Sequence, residues 1–326
     1  PIRFDYAYII PPELPSSHVI GATIIPRPSA IKITDVRIAD LFASFYRSYA
    51  HEPVGYVTLR NDYDKPLDVV LRTSIPELSV LPREERFTMP ANSSEITEIS
   101  TVLSSRVLEQ IGSSIRQVQV EAEYVIGGSS KRVSSVESFT LHGRGAITWE
   151  NPAHAVAFVT KLDPGVQMFV DETTTNFTYK SEDELGRLHT VAQLFNGLGL
   201  INLRYTDDPA NPFQAGQSSG RGFSEIDKTQ HFIDFVRYPI ELLQGRPGDC
   251  DDLTVLMASL LEYAGIHTAF VSTNTHISLM FDSGIHVNNG GLLPVDQALL
   301  VPVEQTNTFW IPIEVTSVGK AFHEGW

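Results

Sequence analysis

Cysteine is almost missing from this chain: there is one, Cys250, in 326 residues. A single thiol makes no internal disulfide and no Cys-rich zinc or iron–sulfur site. It is either an inert buried group or a reactive one, and its surroundings must decide. Basic residues are also scarce. Lys and Arg total 24 against 39 Asp and Glu, a formal net charge of −15. A surface that acidic repels phosphate backbones and anionic lipid, so nucleic-acid and membrane-surface partners are not expected. Long apolar runs are missing too: no window approaches the ~18 residues that cross a bilayer, so no membrane segment is expected. The opening residues, Pro1-Ile2-Arg3-Phe4, show no basic stretch leading into an apolar one, and no signal peptide is read there. A chain opening on Pro1 reads as a processed product or an excised piece, which leaves the compartment open. The apolar residues it does have, 42% of the chain, suffice for core building over about two domains of roughly 100–200 residues each.

Residues 1–145 read as an all-β domain. Short runs rich in β-branched residues recur at Gly55–Leu59, Leu67–Leu71, Glu95–Ile99 and Ser138–His142, and Gln117–Tyr124 alternates polar with apolar. Turn-forming residues fall between them, at Asn61-Asp62, Asp64-Lys65-Pro66, Pro90-Ala91-Asn92 and Gly127-Gly128. Strands at this spacing suggest an antiparallel β-sandwich of immunoglobulin-like type, with Ser104–Gln110 as a short helical crossover.

After Gly143-Arg144-Gly145 the texture changes, and 146–326 reads as a second, mixed α and β domain. Trp149–Phe158 and Glu182–Gly197 have helical spacing, the second with an acidic start that suits the helix dipole. A long polar loop is read over 207–222. Then Asp249-Cys250-Asp251-Asp252 leads into Leu253, Leu256, Met257, Leu260, Leu261 and Ala264, a helical stripe stopped at Gly265. Strands follow at Thr268–Ser272, Thr275–Asp282 and Phe309–Thr316.

A thiol nucleophile needs a stabilised negative sulfur, a base within reach and a third group that orients the base. Cys250 stands at a helix start, where the dipole favours negative charge. Asp249, Asp251 and Asp252 crowd it with like charge and oppose that form. Period-2 register turns His276, Ser278 and Met280 away from Ile277, Leu279 and Phe281, which would pack inward. On the last strand it sets Trp310, Pro312, Glu314 and Thr316 opposite Ile311, Ile313 and Val315. His276 then becomes the candidate base and Glu314 its orienter, with Asp282 and Asp296 as competitors. His267, His286 and His323 read as surface or packing residues.

Three stretches, in order, carry a family resemblance. Arg246-Pro247-Gly248-Asp249-Cys250-Asp251-Asp252-Leu253 resembles the nucleophile segment of the transglutaminase-like superfamily. His276-Ile277-Ser278-Leu279-Met280-Phe281-Asp282 resembles its histidine strand, and Trp310-Ile311-Pro312-Ile313-Glu314 its acidic strand. Trp149, Ala157-Phe158-Val159-Thr160 and Asp163-Pro164 resemble bacterial members with a β-domain before the thiol domain. Glu314 stands where many relatives have Asp, and an insert over 288–305 lengthens the gap from His276. The resemblance covers about residues 149–326. It implies an α+β fold, with a β-sandwich followed by a papain-like transglutaminase-like core. It also implies a cysteine peptidase acting through an acyl-enzyme on a protein or peptide substrate, with Cys250, His276 and Glu314 as catalytic residues. Tyr238 and Gln230 are the candidates for oxyanion support, beside the backbone N–H of Cys250. The alternatives are a protein-glutamine acyltransferase and a catalytically degenerate scaffold or binding protein. No cofactor is expected. Some bacterial members bind calcium near the nucleophile; here Asp249, Asp251 and Asp252 would offer the ligands, with a solvated acidic helix start as the preferred reading. An extracytoplasmic setting, periplasmic or surface, is favoured over a cytoplasmic one.

Overall fold

The computed structural model describes residues 29–149, 151–175, 185–206, 233–273, 276–293 and 299–325. The fold is mixed α+β with several antiparallel sheets. In the first half run β1 (Ile31–Ile38), β2 (Leu41–Phe42), β3 (Gly55–Asn61), β4 (Leu67–Ser74), β5 (Arg83–Met89), β6 (Ser94–Ile99), β7 (Ser114–Ile126) and β8 (Ser129–His142). One sheet has the order β1-β3-β6 and the other β2-β8-β7-β4-β5, antiparallel throughout except for the β2–β8 pair. Alternation explains why these segments are strands. Val57 and Leu59 on β3, and Val69 and Leu71 on β4, turn inward while Tyr56 stays exposed, and inward residues of both sheets share one apolar cluster. The expected crossover is present as a short 3₁₀ helix, Ser105–Glu109.

Two strands escape the sequence pattern. Arg83-Glu84-Glu85-Arg86-Phe87-Thr88-Met89 lacks apolar alternation because β5 is a sheet edge, held by pairing with β4 and by Arg72–Glu84 at 3.0 Å. Charged side chains on an edge strand also discourage pairing with another chain. In β1 a register shift between Ile33 and Asp35 breaks the alternation.

In the second half, β9 (Ala146–Thr148) pairs with β10 (Ile233–Phe235), and a 3₁₀ helix covers Pro152–Phe158. The helices are α1 (Pro164–Thr174), α2 (Gly186–Leu200), α3 (Pro239–Leu243) and α4 (Cys250–Tyr263). β11 (Thr268–Ser272), β12 (Ile277–His286), β13 (Val301–Val303) and β14 (Thr308–Ile313) form a sheet in the order β11-β12-β14-β13. The insert after residue 288 thus contributes β13, which pairs with β14. The polar loop expected over 207–222 lies outside the described residues. Among the described residues no helix is long and apolar enough to cross a membrane.

α4 departs from its amphipathic pattern. Every residue from Cys250 to Leu261 is buried. Leu253, Leu256, Met257, Leu260 and Leu261 belong to the apolar cluster of the helices and the four-stranded sheet. Cys250 and Val255 belong to the other cluster, with Ala155, Phe158, Ile277 and the inward residues of the first half. The helix is therefore a wall shared by two cores. Two of its hydroxyls are satisfied inside that wall. Thr254 Oγ1 donates to the carbonyl of Cys250 at 2.6 Å, and Ser259 Oγ accepts from the Thr160 amide at 3.0 Å.

Candidate active site

The start of α4 is built by its neighbours in sequence. Asp249 is the N-cap, extended at φ −92° and ψ −161°, and its carboxylate accepts from the Asp252 amide at 3.3 Å. A Cβ on Gly248 would lie 2.7 Å from Leu242 Cδ2 and 2.9 Å from Asp252 Cβ. Gly248→Ala is thus expected to push the helix start aside at a cost of about 1–3 kcal/mol. The check is a lowered melting temperature together with slower alkylation of Cys250. Cys250, the first residue of α4, is 3% exposed.

His276 directly precedes β12, its carbonyl fixed by the Thr273 amide at 2.8 Å. The ring hydrogen-bonds both Cys250 and Glu314, with Nε2 lying 2.7 Å from Glu314 Oε2. Since Nε2 is engaged with Glu314, Nδ1 is the nitrogen left for Cys250. The bonds to Cys250 and then to Glu314 outweigh burial and hold the imidazole up to about 10. Glu314 follows β14, where the register Leu279↔Ile313 carries it toward His276. Burial works to raise its carboxyl, but the bonds from His276 and Thr316 hold it below the ordinary range. Its second oxygen accepts from the Thr316 amide at 3.0 Å and from Thr316 Oγ1 at 2.7 Å.

Several expectations need correction. His276 and Glu314 lie just beyond the ends of their strands, not within them. Trp310 is buried, not on an open polar face, and its Nε1 donates to Thr306 Oγ1 at 3.0 Å. The segment that turns from β13 into β14 supplies that partner, which the alternation of β14 alone could not reveal. Asp282 is engaged elsewhere, by Arg187 at 2.6 Å and Thr308 Oγ1 at 2.7 Å. Asp296 and Gln230 lie outside the described residues. Tyr238 is placed at the seam with the first half. Its hydroxyl donates to the Arg144 carbonyl at 3.2 Å, its ring packs on Phe158, and burial pushes the phenol up to about 12. Its proton is therefore committed to Arg144.

The acidic helix start is buried, not solvated. Asp249 is 3% exposed, and Asp251 and Asp252 are fully covered. Their carboxylate oxygens lie within 4.8 Å of one another. Burial first, then the neighbouring Asp249, raises Asp251 well above the usual carboxylate range. Burial and Asp249 likewise lift Asp252 to about 6, although Arg237 pairs with it at 2.6 Å. The opposition to a negative sulfur is accordingly weaker than three ionised aspartates would exert. Among the described residues Asp251 Oδ2 accepts from no N–H or O–H group, so a proton or cation shared with Asp249 is what would satisfy it. An all-carboxylate set with one orphaned oxygen fits a hard cation such as calcium. Arg237 and Asp234, the latter accepting from Trp149 Nε1 at 2.7 Å, went unnoticed in the sequence because single charged residues in short connections carry no periodicity.

No family model and no curated protein matches the chain. One solved structure similar to part of it is the YadV chaperone, at 15% identity and a TM-score of 0.23, covering 39% of this chain. The chain spans 58% of the length of that chaperone, and so slight a likeness carries no argument about fold or function.

Proposed function

We propose that this protein is a thiol-dependent amide-bond enzyme of transglutaminase-like type, an immunoglobulin-like β-sandwich over 1–145 followed by a papain-like core over 146–326. The observation that carries the reading is the hydrogen-bonded chain Cys250–His276–Glu314, assembled from a helix start and the ends of two strands. Three residues 26 and 38 positions apart meet in the order that nucleophile, base and orienter require.

His276 takes the thiol proton of Cys250 and holds it for the leaving group. Cys250 Sγ attacks the amide carbon, the carbonyl π pair moves to oxygen, and the oxyanion forms at the positive end of α4. His276 gives its proton to the departing amine as the C–N bond breaks, leaving a thioester. Neutral His276 then takes a proton from water, whose oxygen attacks the thioester. The carboxylic acid leaves, and His276 returns the proton to sulfur. A primary amine in place of water would give acyl transfer. Glu314 keeps the imidazole in one tautomer and orientation throughout. Intact mass after incubation with a labelled peptide tests the reading: a peptide adduct on Cys250 that water discharges supports it. Turnover without dependence on Cys250 overturns it. Added amine appearing in the product separates transferase from peptidase.

Where calcium is bound, Asp249, Asp251 and Asp252 would hold it, and it would neutralise the helix start without taking part in a bond change. A calcium-dependent rise in melting temperature, abolished by Asp251→Asn, is the expected result. Protons are the alternative neutraliser. A carboxyl whose pKa is raised on folding binds its proton more tightly in the native state, so its ionisation weakens the fold as pH rises. For Asp252 that loss falls between about 4 and about 6. Stabilisation by acid with none by calcium identifies that case.

A further inference from the structure

β11 is a sheet edge: among the described residues it pairs only with β12. The Asp282 amide donates to the His267 carbonyl at 2.9 Å, and the Thr273 amide to the His276 carbonyl at 2.8 Å. The odd-numbered residues of this stretch therefore face β12, and Thr268, Phe270 and Ser272 turn their N–H and C=O groups outward. The Thr268 amide is held by Glu262 Oε1 at 2.9 Å. Those of Phe270 and Ser272 have no hydrogen-bond partner among the described residues. A half-buried strand with open amides is a template for another strand.

A cavity beside this edge shares Val156, Val159 and Lys161 with a second one. One, of about 380 Å³, is lined also by Ala269 and Phe270. The other, of about 640 Å³, reaches Leu108, Leu162 and Arg47. Their walls are apolar, and Val156 is 60% exposed. The acids nearby are engaged: Asp163 caps the Gly165 amide at 2.8 Å, and Glu262 holds Thr268. Lys161 touches Glu262 only loosely, at 3.5 Å. Arg47 and Lys161 stand on this rim with Asp163 and Glu262, whose carboxylates are turned to the Gly165 and Thr268 amides. At its other end β11 leads to the triad, because Ser272 pairs with Ile277, the residue after His276. At ~3.3 Å per residue, the four steps from Thr268 to Ser272 cover ~13 Å.

We infer that the free edge of β11 takes an extended, acidic and apolar stretch of polypeptide as an added strand. One apolar side chain enters the Val156–Val159–Phe270 cavity, and an acidic one faces Lys161 and Arg47. The inference rests on the amide-enzyme reading and deepens it by naming the substrate class. The apolar residue lies ~3–4 residues from the bond presented to Cys250. Main-chain bonds supply affinity in this mode, and alternate side chains supply selectivity.

The probe is a panel of fluorescein-labelled, end-blocked decapeptides alternating Leu or Val with polar residues, each made with one Glu or one Lys. Binding is read by anisotropy on the full chain carrying Cys250→Ala. The Glu peptides are expected to bind at least tenfold more tightly than the Lys ones. Ser272→Pro, which removes an outward N–H and no ladder bond, and Val156→Glu are each expected to weaken binding at least tenfold. The Phe270 and Ser272 amides of the chain without Ser272→Pro should gain hydrogen-exchange protection at saturation, and this readout decides should Ser272→Pro fail to fold. No binding by any panel member, equal binding by a folded Ser272→Pro chain, or unprotected amides overturns the inference. Peptides bound at the edge but never turned over by the intact chain would instead sink the catalytic reading. Turnover indifferent to the edge would leave that reading standing alone.

Discussion

On the proposed reading, Cys250→Ala is expected to abolish amide turnover, by on the order of 10⁴-fold or more, and to leave the fold in place. The loss is that large because the substitution removes the only atom able to form the acyl-enzyme, while His276 and Glu314 stay where they are. The fold survives because alanine deletes a single sulfur from a closely packed position, and the contacts of α4 come mainly from Leu253, Leu256, Met257 and Leu260. Two measurements frame the result. Intact mass shows no covalent peptide on the variant, and thermal melting stays within a few degrees of the parent. Turnover that persists in the alanine variant would end the nucleophile assignment, and a scaffold or binding role would take its place.

Glu314→Gln is expected to lower turnover by on the order of 10²–10⁴-fold. A glutamine keeps the shape and can still accept one bond, but it removes the negative charge lying 2.7 Å from His276 Nε2. The sign of the pH effect follows from His276. The folded site holds this imidazole up to about 10, so its proton persists through neutral pH and is lost only as pH rises toward that value. Without the carboxylate the imidazolium loses its second-largest support. The alkaline limb of the activity profile should move to lower pH, and alkylation of Cys250 at pH 6–7 should slow. A merely structural role for Glu314 would lower stability and leave the position of that limb unchanged.

The proposed triad was legible in the sequence to the extent that local chemistry is periodic. The stripe from Leu253 to Ala264 located α4, and Gly265, at φ +77°, closed it. The burial of Ile277, Leu279 and Phe281 matches the register read for β12. What sequence could not supply was the packing on the far side of each element. The second buried face of α4 depends on a short 3₁₀ helix far back in the chain, with Ala155 and Phe158 on it. The burial of Trp310 depends on the chain that turns back through Thr306. The covered aspartates looked solvated because a charged triplet at a helix start is ordinarily exposed. β5 was invisible because an edge strand needs no apolar alternation, only a partner.

The shared wall formed by α4 has a consequence for how the protein is divided. The texture of the chain changes near residue 145, yet a fragment cut there would not carry off a finished interior. Either cut would divide the apolar cluster that holds Val255, Ile277, Cys250, Ala155 and Phe158 together with the inward residues of the first half. Each part completes the other's interior. Cys250 sits on the partition between them, so exposure of its thiol and loss of structure should coincide in a single transition.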